Sequence, residues 1–98
     1  MNMQNLMAQA QRMQKEITKK QEEIYNTTFE GTSEWVRVTM NGKKEITKIE
    51  ITYTGDINDD REMLSDMITI AINDAIKKIE HEIEKKLGMY SKQLGGLM

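Results

Sequence analysis

Met3, Leu6, Ala10, Met13, Ile17, Lys20 and Ile24 open the chain at alternating spacings of three and four, and all but Lys20 are apolar. That spacing is the heptad rule of a helix packed along a narrow seam. No Gly or Pro interrupts it, and the remaining positions are mostly Gln, Lys, Glu and Met, which favour helix. The pattern predicts one helix over residues 3–24, about 33 Å long. In a chain of 98 residues such a rod outreaches the core, so part of it should project or lie along a second copy. A core this small gives only marginal stability, which independently favours pairing of two copies.

After Tyr25 the helical period gives way to alternation. Asn26, Thr27, Thr28 and Phe29 lead through Gly31, Thr32 and Ser33 to a strand in which Val36, Val38 and Met40 share one face. Asn41-Gly42 is the strongest short-range signal for a two-residue hairpin, because both residues tolerate positive φ. The returning strand is expected from Lys43 to about Tyr53. Ile49, Ile51 and Tyr53 lie on one face of it and Ile46 on the opposite parity, so either a bulge sits near Thr47 and Lys48 or both faces are partly covered. Gly55 to Asp60 reads as a turn-rich link, with Asp59 and Glu62 as a capping-box variant. Over residues 63–87 an apolar stripe at helical spacing is wide as far as Ile76 and narrow beyond, a core half followed by another seam. Gly88 is a natural stop, and residues 89–98 are expected to form a loosely ordered tail.

The predicted class is therefore α+β: an α-β-β-β-α protomer in one domain over residues 1–98, with two long helices flanking a small antiparallel sheet. Exposed sheet edges are a second reason to expect a homodimer. The candidate dimer seams are Met3, Leu6 and Met13 with Ile17 on the first helix, and Ile79 and Ile83 on the second.

Composition narrows the function. Apolar residues at 38% and charged residues at 31% are too apolar a balance for a disordered chain and too polar for a membrane protein. With no cysteine there is no disulfide framework, thiol nucleophile or thiolate zinc site. No segment approaches the roughly 18 apolar residues of a membrane span, and residues 1–6 lack the blocks of a secretory signal, so the cytoplasm is the expected location. Enzyme readings are poor. The one histidine, His81, stands among Glu80, Glu82 and Glu84 and reads as a solvated residue. No phosphate loop, nucleophile motif or metal-ligand pair is present, and Asp56, Asn58, Asp59 and Asp60 lack the glycine and closing glutamate of a calcium loop. No cofactor, metal or small-molecule substrate is expected.

The net charge of −2 argues against a uniformly basic nucleic-acid binder, but charge is uneven. Residues 1–20 hold Arg12, Lys15, Lys19 and Lys20 against Glu16 alone, whereas residues 58–87 are net acidic. Arg12, Lys15 and Lys19 share a helix face away from the seam of Met13 and Ile17, and that face could meet phosphates; the plainer reading is a solvated helix surface. On the second helix Lys78 and Lys85 lie one heptad apart, with glutamates interleaved; together with Lys20 they complete the candidate DNA-binding set of Arg12, Lys15, Lys19, Lys20, Lys78 and Lys85.

Three segments together resemble the YbaB/EbfC family of bacterial nucleoid-associated proteins. The first is Met3-Gln4-Asn5-Leu6-Met7 with Gln9 to Lys15, similar to that family's Met- and Gln-rich first helix. The second is Glu30-Gly31 with Val36 to Gly42 and Ile49-Glu50-Ile51, similar to its hairpin. The most specific runs from Asp60 to Ile68 and from Ala71 to Ala75, similar to its second helix almost position by position. The ending Gly95-Gly96-Leu97 also resembles its glycine-rich tail. The chain departs from the pattern at Glu34 and Trp35, where the family often has small residues, and at Thr52-Tyr53-Thr54, where it often has a proline. The resemblance implies a homodimer with helices projecting like tweezer arms, double-stranded DNA as partner, a nucleoid location and no catalytic residues. A reading from a different class is a helix-mediated protein-interaction module without direct DNA binding.

Overall fold

Asn2 opens the first helix by accepting the Gln4 N–H on its side-chain oxygen at 2.9 Å, a standard N-cap. Helix α1 then runs Met3–Tyr25, as the heptad spacing predicts, and closes where the Asn26 N–H donates back to the Glu22 carbonyl at 3.0 Å. Three strands follow, β1 (Thr28–Thr32), β2 (Val36–Asn41) and β3 (Ile46–Ile51), antiparallel in the order β1-β2-β3. Helix α2 (Arg61–Leu87) and a 3₁₀ turn (Gly88–Tyr90) complete the fold. The computed structural model describes residues 2–90, which occupy an elongated envelope of 70 × 19 × 16 Å.

One face of the sheet is apolar. Val36, Val38 and Met40 are buried there, and α2 packs across β1 and β2 with Ala71, Ala75 and Ile79 beneath it. Each large side chain so buried contributes about 1.5–3 kcal/mol. The opposite face is polar, and there Arg37 meets Glu50 at 3.8 Å from the adjoining strand. The helix can lie this close only because of Gly31 in β1: a Cβ there would collide with the Ala71 carbonyl and the Ala75 N–H.

The hairpin differs from the expected two-residue turn. Asn41 pairs with Thr28 as the last residue of β2, and the loop is Gly42, Lys43 and Lys44. The Lys44 N–H closes back on the Asn41 carbonyl and the Asn41 N–H on the Glu45 carbonyl, each at 3.1 Å. The positive φ, 65°, falls on Lys44 and not on Asn41 or Gly42. Gly42 serves a different need, since a Cβ at that position would collide with the Ile24 carbonyl where α1 ends. The returning strand is correspondingly shorter than expected.

Of the two alternatives for Ile46, the bulge is the one realised. Val38 faces Ile49 and Thr39 faces Lys48, but Met40 faces Ile46, which leaves Thr47 as the extra residue. The bulge resets the alternation, so that Ile46, Ile49 and Ile51 all point to the apolar face.

The departures Trp35 and Tyr53 meet in space. Their rings stack at a centroid distance of 4.2 Å, and the Trp35 carbonyl accepts the Thr52 N–H at 2.8 Å. The Tyr53 hydroxyl in turn donates to Asp60. Helix α2 starts one residue later than expected: Asp60, not Asp59, is the N-cap residue, and its carboxylate is turned toward Tyr53 instead of capping the helix.

At the other end Gly88 keeps right-handed helical angles, and the chain continues through Met89 to Tyr90. Tyr90 is buried, with its hydroxyl donating to Glu16 at 3.1 Å. The predicted tail thus starts too early at residue 89, and its residues 91–98 lie outside the described residues.

Gly31→Ala should lower stability by about 1–3 kcal/mol, because the methyl meets helix backbone that cannot rotate away. A urea midpoint equal to that of the parent chain would contradict this account of how α2 packs.

Candidate nucleic-acid interface

Helices α1 and α2 run antiparallel at one end of the molecule, where Lys86 meets Glu23 at 3.7 Å and Tyr90 reaches back to Glu16. Ile17 and Ile24 are buried there together with Ile83 and Leu87. Beyond this packing α1 is free, and every residue from 2 to 16 is exposed. The exposed stretch makes an arm about 21 Å long at 1.5 Å per residue.

Arg12 and Lys15 stand on this arm and Lys19 at its base, all three exposed and on the side away from Ile17. None of them forms an ion pair among the described residues, although six ion pairs occur elsewhere. Lys20, on the flank of the seam, is half-buried, with its ammonium 5.1 Å from the centre of the Tyr90 ring. That is a cation–π contact, so Lys20 holds the turn after α2 against α1 and does not join the outward stripe.

Lys78 is engaged within the fold. Its ammonium lies 3.3 Å from Asp74 and donates to the Glu30 carbonyl at 2.8 Å, while Asp74 accepts the Thr32 N–H at 3.0 Å. This clasp ties the polar flank of α2 to β1. The Thr32 N–H first, and the Lys78 ammonium after it, hold the Asp74 carboxyl below its ordinary value. Lys85 is exposed and unpaired among the described residues, on a different element from the arm. The structure therefore groups Arg12, Lys15 and Lys19 and leaves Lys78 and Lys85 apart. A basic position missed in the sequence is Lys43 at the hairpin tip, 5.5 Å from the centre of the Tyr25 ring. The doubled lysine after Asn41-Gly42 was the signal, because a loop tip presents its side chains to solvent. Beside it, an apolar cleft of about 270 Å³ is bounded by Ile24, Tyr25, Ile83 and Leu87, slightly below the roughly 300–1,000 Å³ of small-molecule sites.

The candidate dimer residues divide in the same way. Ile17, Ile79 and Ile83 are buried in the core of their own chain, Ile79 where α2 lies on the sheet and Ile17 and Ile83 where α1 meets α2. Met3, Leu6 and Met13 remain exposed on the arm.

The family model described as the YbaB/EbfC DNA-binding family matches residues 1–94. The chain belongs to this family. Among its relatives, a nucleoid-associated protein of Lactococcus lactis subsp. lactis is 44% identical over 96 residues, covering 96% of this chain and 97% of its own length. One from Ligilactobacillus salivarius is 38% identical over 99 residues, covering 99% and 95%. A third, from Roseiflexus sp., is 46% identical over 89 residues, covering 90% and 89%. This YbaB/EbfC chain is thus a member of a DNA-binding family whose bacterial relatives are called nucleoid-associated. Among its described residues no helix is long and apolar enough to cross a membrane.

The Asp74 clasp should make stability depend on pH. The folded chain binds this proton more weakly than the unfolded chain, so the stabilisation is complete above the ordinary aspartate pKa and is lost as pH falls through the lowered folded value. Urea midpoints measured across the acid range should show that loss, and Asp74→Asn should flatten it. An identical acid slope in the variant would exclude the clasp as its source.

Proposed function

We propose that this chain binds duplex DNA as a homodimer with little sequence preference, and that it helps organise the bacterial chromosome and modulate gene expression from a place in the nucleoid. The observation that carries the reading is the exposed α1 arm, where Arg12, Lys15 and Lys19 form an outward stripe with no acidic partner among the described residues. Phosphate contacts by such side chains supply affinity and carry no sequence information directly. Family membership and the names of the bacterial relatives support the same reading.

The dimer is supported by the edge of the sheet. Ile46, Ile49 and Ile51 are 43%, 44% and 45% exposed although they lie on the apolar face, because α2 covers β1 and β2 instead. An exposed edge strand with three uncovered isoleucines invites a partner, and a second copy of the same face supplies one. Two copies joined there carry two arms, whose basic stripes act on one duplex.

Neutralising Arg12, Lys15 and Lys19 together to Gln should weaken duplex binding and flatten its dependence on log salt by about 0.9 for each phosphate that is no longer neutralised. A gel-shift titration at two salt concentrations with unchanged retention would remove the arm as the DNA-binding element. Ile49→Glu should convert the dimer to a folded monomer by light scattering, since Ile49 lies outside the protomer core; an unaltered mass would place the partner elsewhere.

A further inference from the structure

The inner face of the α1 arm stands clear of the other described residues, yet it continues the buried seam. Ile17 and Ile24 are covered by α2, and Met3, Leu6, Ala10 and Met13 extend the same stripe into solvent. Met3 is 75% exposed, Leu6 45% and Met13 39%. Within the stripe from Met3 to Met13 the flanking positions are Met7 and Gln9, with Gln14 next to its end, none of them charged. Glu16, one heptad after Gln9, lies beyond Met13 and accepts from Tyr90, and Arg12 and Lys15 stand on the far side of the helix. Charged flanks select an oppositely charged partner helix. Uncharged flanks suit pairing with an identical helix, in which like charges would otherwise stand face to face.

We propose that α1 arms of neighbouring dimers pair antiparallel through Met3, Leu6, Ala10 and Met13 and so link DNA-bound dimers to one another; this rests on the DNA-binding dimer proposed above. Antiparallel pairing centred between Leu6 and Ala10 sets Leu6 of each arm over Ala10 of the other, and Met3 over Met13. Large side chains then fill the space left by small ones. Parallel pairing would instead oppose Ala10 with Ala10 and leave a void. It would also bring the two bodies together at one end, whereas the antiparallel pair holds them at opposite ends.

Area separates this pairing from the dimer interface. Four seam residues per arm, three turns of helix, cover far less than the roughly 1,200–2,000 Å² of a stable complex. Arm pairing is accordingly weak between free dimers and becomes effective where DNA holds them side by side, which raises the effective concentration of one arm near the next. The basic stripe lies on the opposite helix face, so phosphate binding and arm pairing are compatible and binding along a long duplex becomes cooperative.

The chain has no cysteine, which makes the geometry directly testable. Full-length Leu6→Cys and Ala10→Cys chains, mixed and mildly oxidised on a long duplex, should form a disulfide between the two kinds of chain in a species with the mass of two dimers. No cross-link, linkage of like with like, or linkage confined to one dimer overturns the proposal. In parallel, a Leu6→Gln, Met13→Gln chain of unchanged helix content should bind a single-site duplex as the parent does. On a many-site duplex it should bind about tenfold more weakly, without the sigmoidal rise; parental cooperativity would overturn the proposal. If the parent chain binds neither duplex, the DNA reading fails, and the same oxidation at high protein concentration without DNA still decides the arm pairing by the same criteria.

Discussion

The placement of α2 on the sheet depends on the absence of a side chain at Gly31. Backbone of the helix, the Ala71 carbonyl and the Ala75 N–H, occupies the space where a Cβ would be. The helix is thereby drawn onto β1 and β2, and the Asp74 clasp on Thr32 holds its polar flank in the same position. The consequence is asymmetry. A helix seated over two strands of three leaves β3 with an apolar face and no cover, and that uncovered area is what a partner can use.

The second consequence concerns α1. Its packing against α2 extends only from about Ile17 to Tyr25, because α2 and its closing turn end at Tyr90, beside Glu16 and Lys20. A helix of 23 residues cannot be satisfied by so short a stretch of cover, and the rest of it stands in solvent with two unlike faces. One carries the positive charges of Arg12 and Lys15, unpaired among the described residues, and the other an apolar seam. Because they lie on opposite sides of one rod, using either leaves the other available.

Trp35 and Tyr53 stack on one another while Tyr53 engages Asp60 at the start of α2. A bulky ring before β2 is accommodated by a second ring after β3. The Tyr53 hydroxyl links the pair to the helix terminus, and with Asp60 as its acceptor the phenol is held above its ordinary pKa.

Much of this was legible in the residue order. The heptad spacing located α1, alternation located β2 with its buried Val36, Val38 and Met40, and the parity break at Ile46 narrowed the choice to a bulge or two partly covered faces, between which the structure decides. These are local periodicities, and helix and strand geometry impose them wherever the chain is buried on one side. Charge placement offered Arg12, Lys15 and Lys19 as candidates together with Lys20, Lys78 and Lys85. Only the tertiary structure decided which seam residues face their own chain, because Ile17, Ile79 and Ile83 follow the same spacing as Met3, Leu6 and Met13. Only it separated the clasped Lys78 from the free arm, and only it assigned Gly42 to a close approach of α1 and the positive φ to Lys44. The physical reason is common to all three: spacing fixes the direction of a side chain on its own element, while burial and pairing depend on elements that lie tens of residues away in sequence.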